Sequence, residues 1–382
     1  MKIAIVVPGG VDRSGEYRVI PALIALIARL ALHHEVHVFA LWQEAEPGGW
    51  QLAGACIHNV GRQNTIVRAV RAIVAEHRSS RFSLIQSIWS GVPGFVAVAA
   101  GVILRLPRLI HVAGGELVAL PDIGYGGRLR WNGRLRESIV LRGATIVTAA
   151  SAPMIEMLAR LGIVAQRIPL GVDLNAWALR EPSPRSPSEP GRLIHVASLN
   201  RVKDQTTLLR ALAELSAMQM EYRLDIVGED TLQGEIQALS ARLGLSERVR
   251  FHGFLPQHRL VQLMRDSHLM IVSSRHEAGP VALLEAAAAA VPTVGTAVGH
   301  VVEWAPNAAV AVPVGDSVAL ARAIAGLLVD EQLRLRMARE ARLRAAREDA
   351  DYTARCFQAI YADISTRGSA RKQTTDANAG SR

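Results

Sequence analysis

The chain has 382 residues, enough for two domains of ordinary size, each with its own core. Half of the residues are hydrophobic but only 4% are aromatic, so those cores must be Leu, Val, Ile and Ala, and two cysteines exclude a disulfide framework and fit a reducing cytosol. The net charge of +9 is uneven: residues 1–190 hold 20 Lys plus Arg against 13 Asp plus Glu, which suits an anionic partner there unless the arginines are ordinary solvated groups.

The apolar opening Ile3–Val7 is too short for a signal-peptide core. Lys2–Val7 reads as a buried strand ending in Pro8-Gly9-Gly10, followed by helical periodicity over Arg18 to Leu32 and a second strand at Glu35–Leu41. This β-loop-α-β order starts a parallel, doubly wound sheet. Gly9 and Gly10 would let the backbone approach a ligand at the sheet's carboxyl edge, although plain turn glycines fit the pair as well. The alternation continues with a helix at Thr65–Glu76 and a strand at Phe82–Trp89. Ser90 is then placed to cap a helix, and further strands fall at Leu109–Ala113 and Ala144–Ala149. The longest apolar stretch, Val92 to Leu104, contains Pro93 and falls short of the roughly 20 residues of a membrane span.

Four prolines and several serines between Ala178 and Arg192 mark a linker. Beyond it the pattern restarts, with strand-like runs at Leu193–Leu199, Arg223–Val227, Val249–Phe251, Leu269–Val272, Thr293–Gly295 and Ala309–Pro313. The expected fold is therefore α/β, two Rossmann-like doubly wound domains facing across a cleft between carboxyl edges. The expected boundaries are 1–177 and 193–348, with linker 178–192 between them. A carboxyl-terminal helix over 349–367 would pack back on the first domain, and 368–382 would be a disordered tail.

The stretch from Ser273 to Thr296 organises the second domain. A loop carries Glu277 and Gly279, and the helix from Val281 to about Ala290 is apolar everywhere except Glu285. A carboxylate in so apolar a helix needs a partner, because an unpaired buried charge costs several kcal/mol. Sugar hydroxyls would serve; a structural Glu bonded to nearby backbone is the plainer account. Asn200-Arg201-Val202-Lys203 follows the domain's first strand and supplies cations suited to a diphosphate, and the amides of Val281 and Ala282 open a helix suited to phosphate. Together these residues describe a site for a sugar bound to a nucleoside diphosphate.

Glu277 and Glu285 form an E-x7-E pair framed by Val272-Ser273-Ser274 and Pro292-Thr293-Val294. With Val196 to Lys203, Ile226-Val227-Gly228, Val249 to Gly253 and Gly171-Val172-Asp173, the chain resembles glycosyltransferase family 4, retaining enzymes of the B-type fold (GT-B). The resemblance covers nearly the whole chain in order. It implies a nucleotide-sugar donor, UDP- or GDP-linked, with Glu277 on the donor sugar, Glu285 on the ribose and Lys203 on the diphosphate. It places Gly228, Gly253, Leu255, Gly279, Val281 and Ala282 around the donor, and Gly9 and Gly10 at the facing edge. His111 looks like a family histidine near the reacting carbon, though a strand-end His is often structural. No His/Cys cluster in the sequence suggests a metal, so catalysis is expected to be metal-independent and without a cofactor.

Three departures stand out. Ser198 occupies a position where the family has Arg, and Arg201 is expected to supply that cation from the same loop. Pro280 removes one amide donor. Ala290 takes a glycine position, at about 1 kcal/mol if its backbone is left-handed. Asp349-Ala350-Asp351 superficially matches a metal-binding D-x-D but falls in charged helix.

Arg128, Arg130, Trp131, Arg134 and Arg136 form a basic amphipathic stretch suited to peripheral contact with an anionic membrane at its inner face; solvated surface arginines are the simpler account. No nucleic-acid module accompanies it. The expected activity is retaining sugar transfer to a hydroxyl of a glycan or lipid-linked acceptor in the cytoplasm. Its rivals are a non-catalytic nucleotide-sugar-binding protein and a nucleotide-sugar epimerase, which would need further acid/base carboxylates.

Overall fold

Strands covered by helices on both faces are apolar throughout, and the central strand of the first sheet shows this. In the computed structural model, which describes residues 1–186 and 188–379, β1 (Lys2–Val7) is buried at every position. Around it lie β2 (Glu35–Ala40), β3 (Gly48–Leu52), β4 (Ala55–Asn59), β5 (Leu84–Ile88), β6 (Arg108–Val112), β7 (Ile146–Ala149) and β8 (Gln166–Arg167), in the order β3-β4-β2-β1-β5-β6-β7-β8. The sheet is parallel except for the β3–β4 hairpin at its edge, which the sequence reading leaves as loop. Ala53 and Gly54 both have positive φ and form the two-residue turn that joins these strands. The connecting helices are α1 (Pro21–Ala31), α2 (Thr65–Ser79), α3 (Phe95–Leu104), α4 (Trp131–Gly143) and α5 (Ala152–Arg160). A separate turn over Ser90–Gly94 precedes α3, and Ser90 makes no side-chain cap there.

The second sheet is wholly parallel. It contains β9 (Gly191–Val196), β10 (Tyr222–Val227), β11 (Val249–Gly253), β12 (Leu269–Val272), β13 (Thr293–Thr296) and β14 (Ala309–Val312), in the order β11-β10-β9-β12-β13-β14. That order reverses direction between β9 and β12, the point at which doubly wound sheets bind ligands beyond their carboxyl ends. Its helices are α6 (Gln205–Ala217), α7 (Glu235–Arg242), α8 (Gln257–Arg265), α9 (Val281–Ala288), α10 (Gly299–Trp304) and α11 (Ser317–Val329).

Two breaks then divide the charged region. Asp330 caps α12 (Glu331–Arg347), and Asp349 accepts the Tyr352 N–H at the start of α13 (Ala350–Ala379). Phe357, Ile360, Tyr361 and Ile364 of α13 enter the core of the first domain, where the Tyr361 hydroxyl bonds to Gln86. Asp351 pairs with Arg29 of α1, so the D-x-D lookalike caps and pins a helix. The helix continues past 367 to Ala379 where a disordered tail is expected, since Ala, Arg, Lys and Gln there are good helix formers and no proline interrupts. Residues 380–382 of that expected tail lie outside the described residues.

Candidate functional site

Two loops of the second domain are tied together at the carboxyl edge. Lys203 N–H donates to the carbonyl and the side-chain oxygen of Asn200, the Arg275 amide donates to Val202 O at 2.7 Å, and Ser273 Oγ donates to Lys203 O at 2.8 Å. This brings Lys203 Nζ to 2.6 Å from Glu277 Oε1, which also accepts from Ser274 Oγ at 2.6 Å. Burial alone would push the Glu277 carboxyl up; the Lys203 ammonium, with the Ser274 hydroxyl and nearby His276, holds it below the ordinary range. Beneath them His195 bonds to Ile271 O through Nδ1 and meets Gln205 through Nε2, and burial lowers its pKa to about 4. A neutral imidazole here adds no competing positive charge.

Glu285 sits on α9, whose other buried residues are all Leu and Ala. Burial pushes its carboxyl up to about 7, and the Trp177 indole N–H beside it pulls only partly the other way. No cation pairs with it among the described residues. Its carboxyl lines a cavity of about 620 Å³ whose walls also include Ser198, Gly228, Leu255 and Val281. A neighbouring cavity of about 200 Å³ holds Lys203, Glu277, Gly279 and Ala282, and the two share Val196, Ala197 and Val281. Gly228 must be glycine: its φ is +151°, and a Cβ would lie 2.0 Å from Ala197 O.

Five expected site residues do not take those places. His111 is fully buried, its Nδ1 bonded to Thr148 Oγ1 at 2.9 Å and its ring set edge-on to Phe357 of α13. Burial lowers its pKa to about 3, so it is a neutral core residue, and it lines neither cavity. Gly9 and Gly10 line neither cavity either, because Gln43 Oε1 takes the Gly10 amide at 2.7 Å and the Val11 amide at 3.0 Å. Gly253 ends β11 with φ +65° and gives its carbonyl to the Gly228 amide, leaving Phe254 and Leu255 to wall the larger cavity. Arg201 turns outward, 59% exposed, and pairs with Glu235 at 3.2 Å. It lines a separate depression with Arg210 and Arg275, so it does not supply the cation missing at Ser198.

The first domain contributes residues that sequence reasoning leaves out. The loop after β1 brings Gly15 and Glu16 to the larger cavity, with Tyr17 ring-to-ring against Phe254 at 5.6 Å, and Ile20 just before α1 with Ile24 and Ala25 within it form its apolar wall. Their i, i+4 spacing reads as ordinary core, so no signal separates them from it. Near Glu277, His276 Nε2 lies 3.3 Å from Gly114 O, and the Ser151 hydroxyl bonds to Ala278 O. Tyr125, its hydroxyl pKa pushed up to about 12 by burial and by Glu277 and Glu116, stands beside His276. Among the described residues, His37, His58 and Glu76 could hold a metal ion. The Lys2 ammonium already sits 2.6 Å from Glu76, and none of the three lines either cavity.

Residues 179–344 match the family model for glycosyl transferases group 1. The putative glycosyltransferase EpsF of Bacillus subtilis is 27% identical over 255 residues, which cover 62% of this chain and 63% of that protein. The alignment thus spans less than two thirds of that relative's length. The fold is similar to that of sucrose-phosphate synthase from Thermosynechococcus elongatus, with a TM-score of 0.77 and 18% identity, covering 96% of this chain and 100% of the other. It is also similar to Anabaena HepE in complex with UDP-glucose, with a TM-score of 0.74 and 21% identity, covering 95% and 100%. The architecture is therefore the GT-B fold, and the family model and EpsF support a glycosyltransferase.

Proposed function

We propose that this chain is a retaining glycosyltransferase that moves a sugar from a nucleoside-diphosphate sugar, UDP- or GDP-linked, to a hydroxyl of a glycan or lipid-linked acceptor. The observation that carries this reading is the junction of the two cavities. Glu285 stands in the larger and the Lys203–Glu277 pair in the smaller, with shared walls between them. A largely apolar space of about 620 Å³ with one carboxylate suits a nucleoside whose ribose diol donates to Glu285. The diphosphate then lies toward Lys203 and the opening amides of α9, where charge grows as the sugar–phosphate bond breaks. Glu277, ionised and held by Lys203 and Ser274, accepts from the donor sugar's hydroxyls.

Lys203 supplies positive charge at the smaller cavity, and we read transfer as metal-independent, so activity should survive excess chelator. The test of the assignment is a thermal-shift screen with UDP-glucose, UDP-N-acetylglucosamine, GDP-mannose and ADP-glucose, followed by release of nucleoside diphosphate in the presence of acceptors. A ligand at a hundred times its Kd adds about 2.7 kcal/mol of stability, which shifts the melting temperature measurably. No shift with any donor would overturn the reading. A non-catalytic binding protein is the second reading, favoured by Arg201 facing Glu235 and not the cleft. Binding without turnover for every donor would support it.

A further inference from the structure

The basic stretch before and within α4 is not absorbed by the donor site. Arg128, Arg130, Arg134, Arg136 and Arg142 surround one acidic residue, Glu137, which faces inward and whose pKa burial raises. None of the five arginines forms an ion pair among the described residues, so what sets the stretch apart is their density along one helix and the loop before it. The stretch thus concentrates five arginines around a single inward carboxylate, whose charge acts on Arg128 and Arg136.

The apolar residues of the same helix are placed just as unusually. Gly133, Glu137, Val140 and Leu141 make the buried side, and a Cβ on Gly133 would meet Gly127 O at 2.1 Å, so glycine there seats the preceding loop against the helix. Trp131, Leu135 and Ile139, four residues apart, fall on one outward stripe and are 72%, 52% and 44% exposed. Beside the stripe is a cavity of about 160 Å³ with Arg128, Arg134, Arg142 and Ser138 in its wall. Leu161 and Ile163 border it from the turn after α5, and Val164, next along, is 93% exposed.

We propose that the outward face of α4 docks on an anionic lipid bilayer, with Trp131, Leu135 and Ile139 entering the headgroup boundary and Arg128, Arg134 and Arg142 enclosing a lipid phosphate. The charge pattern selects this occupant. An apolar stripe alone would suit a second copy of the chain, but unpaired arginines on the same face repel one another across such an interface, while an anionic bilayer neutralises all of them. Trp at the edge of the stripe matches the amphipathic headgroup layer. Thirteen residues give a helix of about 20 Å, too short to span and suited to lying in the surface plane. The location also fits an acceptor held in a membrane: α4 begins where the 114–130 loop ends, and that loop reaches the second domain through Gly114 with His276 and Asp122 with Arg275. This inference does not depend on the identity of the donor.

The test is co-sedimentation of the full chain with vesicles of phosphatidylglycerol and phosphatidylcholine in equal parts, and with phosphatidylcholine alone, without nucleotide. The wild type should bind the mixed vesicles and leave the neutral ones. Arg128→Gln/Arg134→Gln/Arg142→Gln should weaken partitioning about fivefold per arginine, roughly a hundredfold in all, and Trp131→Ser/Leu135→Ser should weaken it by a similar order. Melting temperature and far-ultraviolet circular dichroism confirm that each variant is folded; if either multiple variant unfolds, Arg134→Gln and Trp131→Ser are read singly. Equal binding to neutral vesicles, no vesicle binding by wild type, or wild-type binding by the folded arginine variant would each overturn the proposal. So would a concentration-dependent dimer abolished by Trp131→Ser/Leu135→Ser in a chain that ignores vesicles.

Discussion

Replacing Glu285 by Gln tests the donor site through proton linkage. The carboxyl is pushed up to about 7 because burial penalises its charge, and no cation among the described residues offsets that. A ribose diol donates hydrogen bonds to the ionised form, so donor affinity should rise as pH climbs through 7. With a midpoint of about 7, roughly one molecule in eleven is ionised at pH 6 and ten in eleven at pH 8, a tenfold change in affinity or about 1.4 kcal/mol. A nucleotide sugar is the right probe, because its doubly esterified diphosphate has no proton to lose in that window. Stability has the opposite sign. The folded-state pKa is raised above the ordinary 4.5, so native Glu285 keeps its proton between those values while the unfolded chain releases it. The empty protein therefore loses stability as pH rises from about 4.5 to 7, by up to about 3 kcal/mol, and Glu285→Gln should recover that loss at pH 8 but not at pH 4. Calorimetric titration at pH 6, 7 and 8 reads the first effect and chemical denaturation of the empty protein the second. Asp173, Glu16 and His258 also line the cavity, so the decisive comparison is wild type against variant. A pH slope that survives in Glu285→Gln refutes the assignment.

Lys203→Met should lower kcat by about a hundredfold or more while changing donor affinity little, because diphosphate charge grows in the transition state; steady-state kinetics separate the two, and an effect confined to KM contradicts this role. Arg201→Ala should keep wild-type turnover and lose at most about 1 kcal/mol of stability, since the Glu235 pair is exposed on both sides; a loss on the scale of Lys203→Met would return the guanidinium to the diphosphate. Ala290 has φ +59°, so Ala290→Gly should stabilise by up to about 1 kcal/mol, seen as a higher denaturant midpoint at unchanged m-value.

That Glu277, Glu285 and Lys203 share one edge of the second sheet is legible in the sequence, because they lie in the loops and the helix that follow β9 and β12 in a regular β-α alternation, where chain order alone brings such segments together. The failures share a different cause. His111 lies at the end of β6 and pairs with Ile88 and Thr148 in neighbouring strands, yet what covers it is Phe357, 246 residues later. Arg201 turns from the cleft because Glu235, at the first position of α7, offers it a partner. Gly10 loses its amide to Gln43, a side chain from the loop after β2. In each case the deciding neighbour is distant in sequence, and no local pattern marks it.

On the proposed reading, the charge arrangement of the cleft favours a growing negative charge over one already formed. Lys203 is neutralised by Glu277 at 2.6 Å, Arg201 points away, His195 is kept neutral and Glu285 carries part of a negative charge at neutral pH. A diphosphate in the proposed site would thus meet little net positive charge on arrival, and donor affinity would come mainly from the nucleoside in the larger, largely apolar cavity. As the sugar departs, the diphosphate gains charge while the sugar carbon becomes electron-poor. Lys203 then has a stronger anion to face, and Glu277 a more positive neighbour. Both interactions strengthen together in the transition state, so a pair that contributes little to ground-state binding can contribute fully to rate.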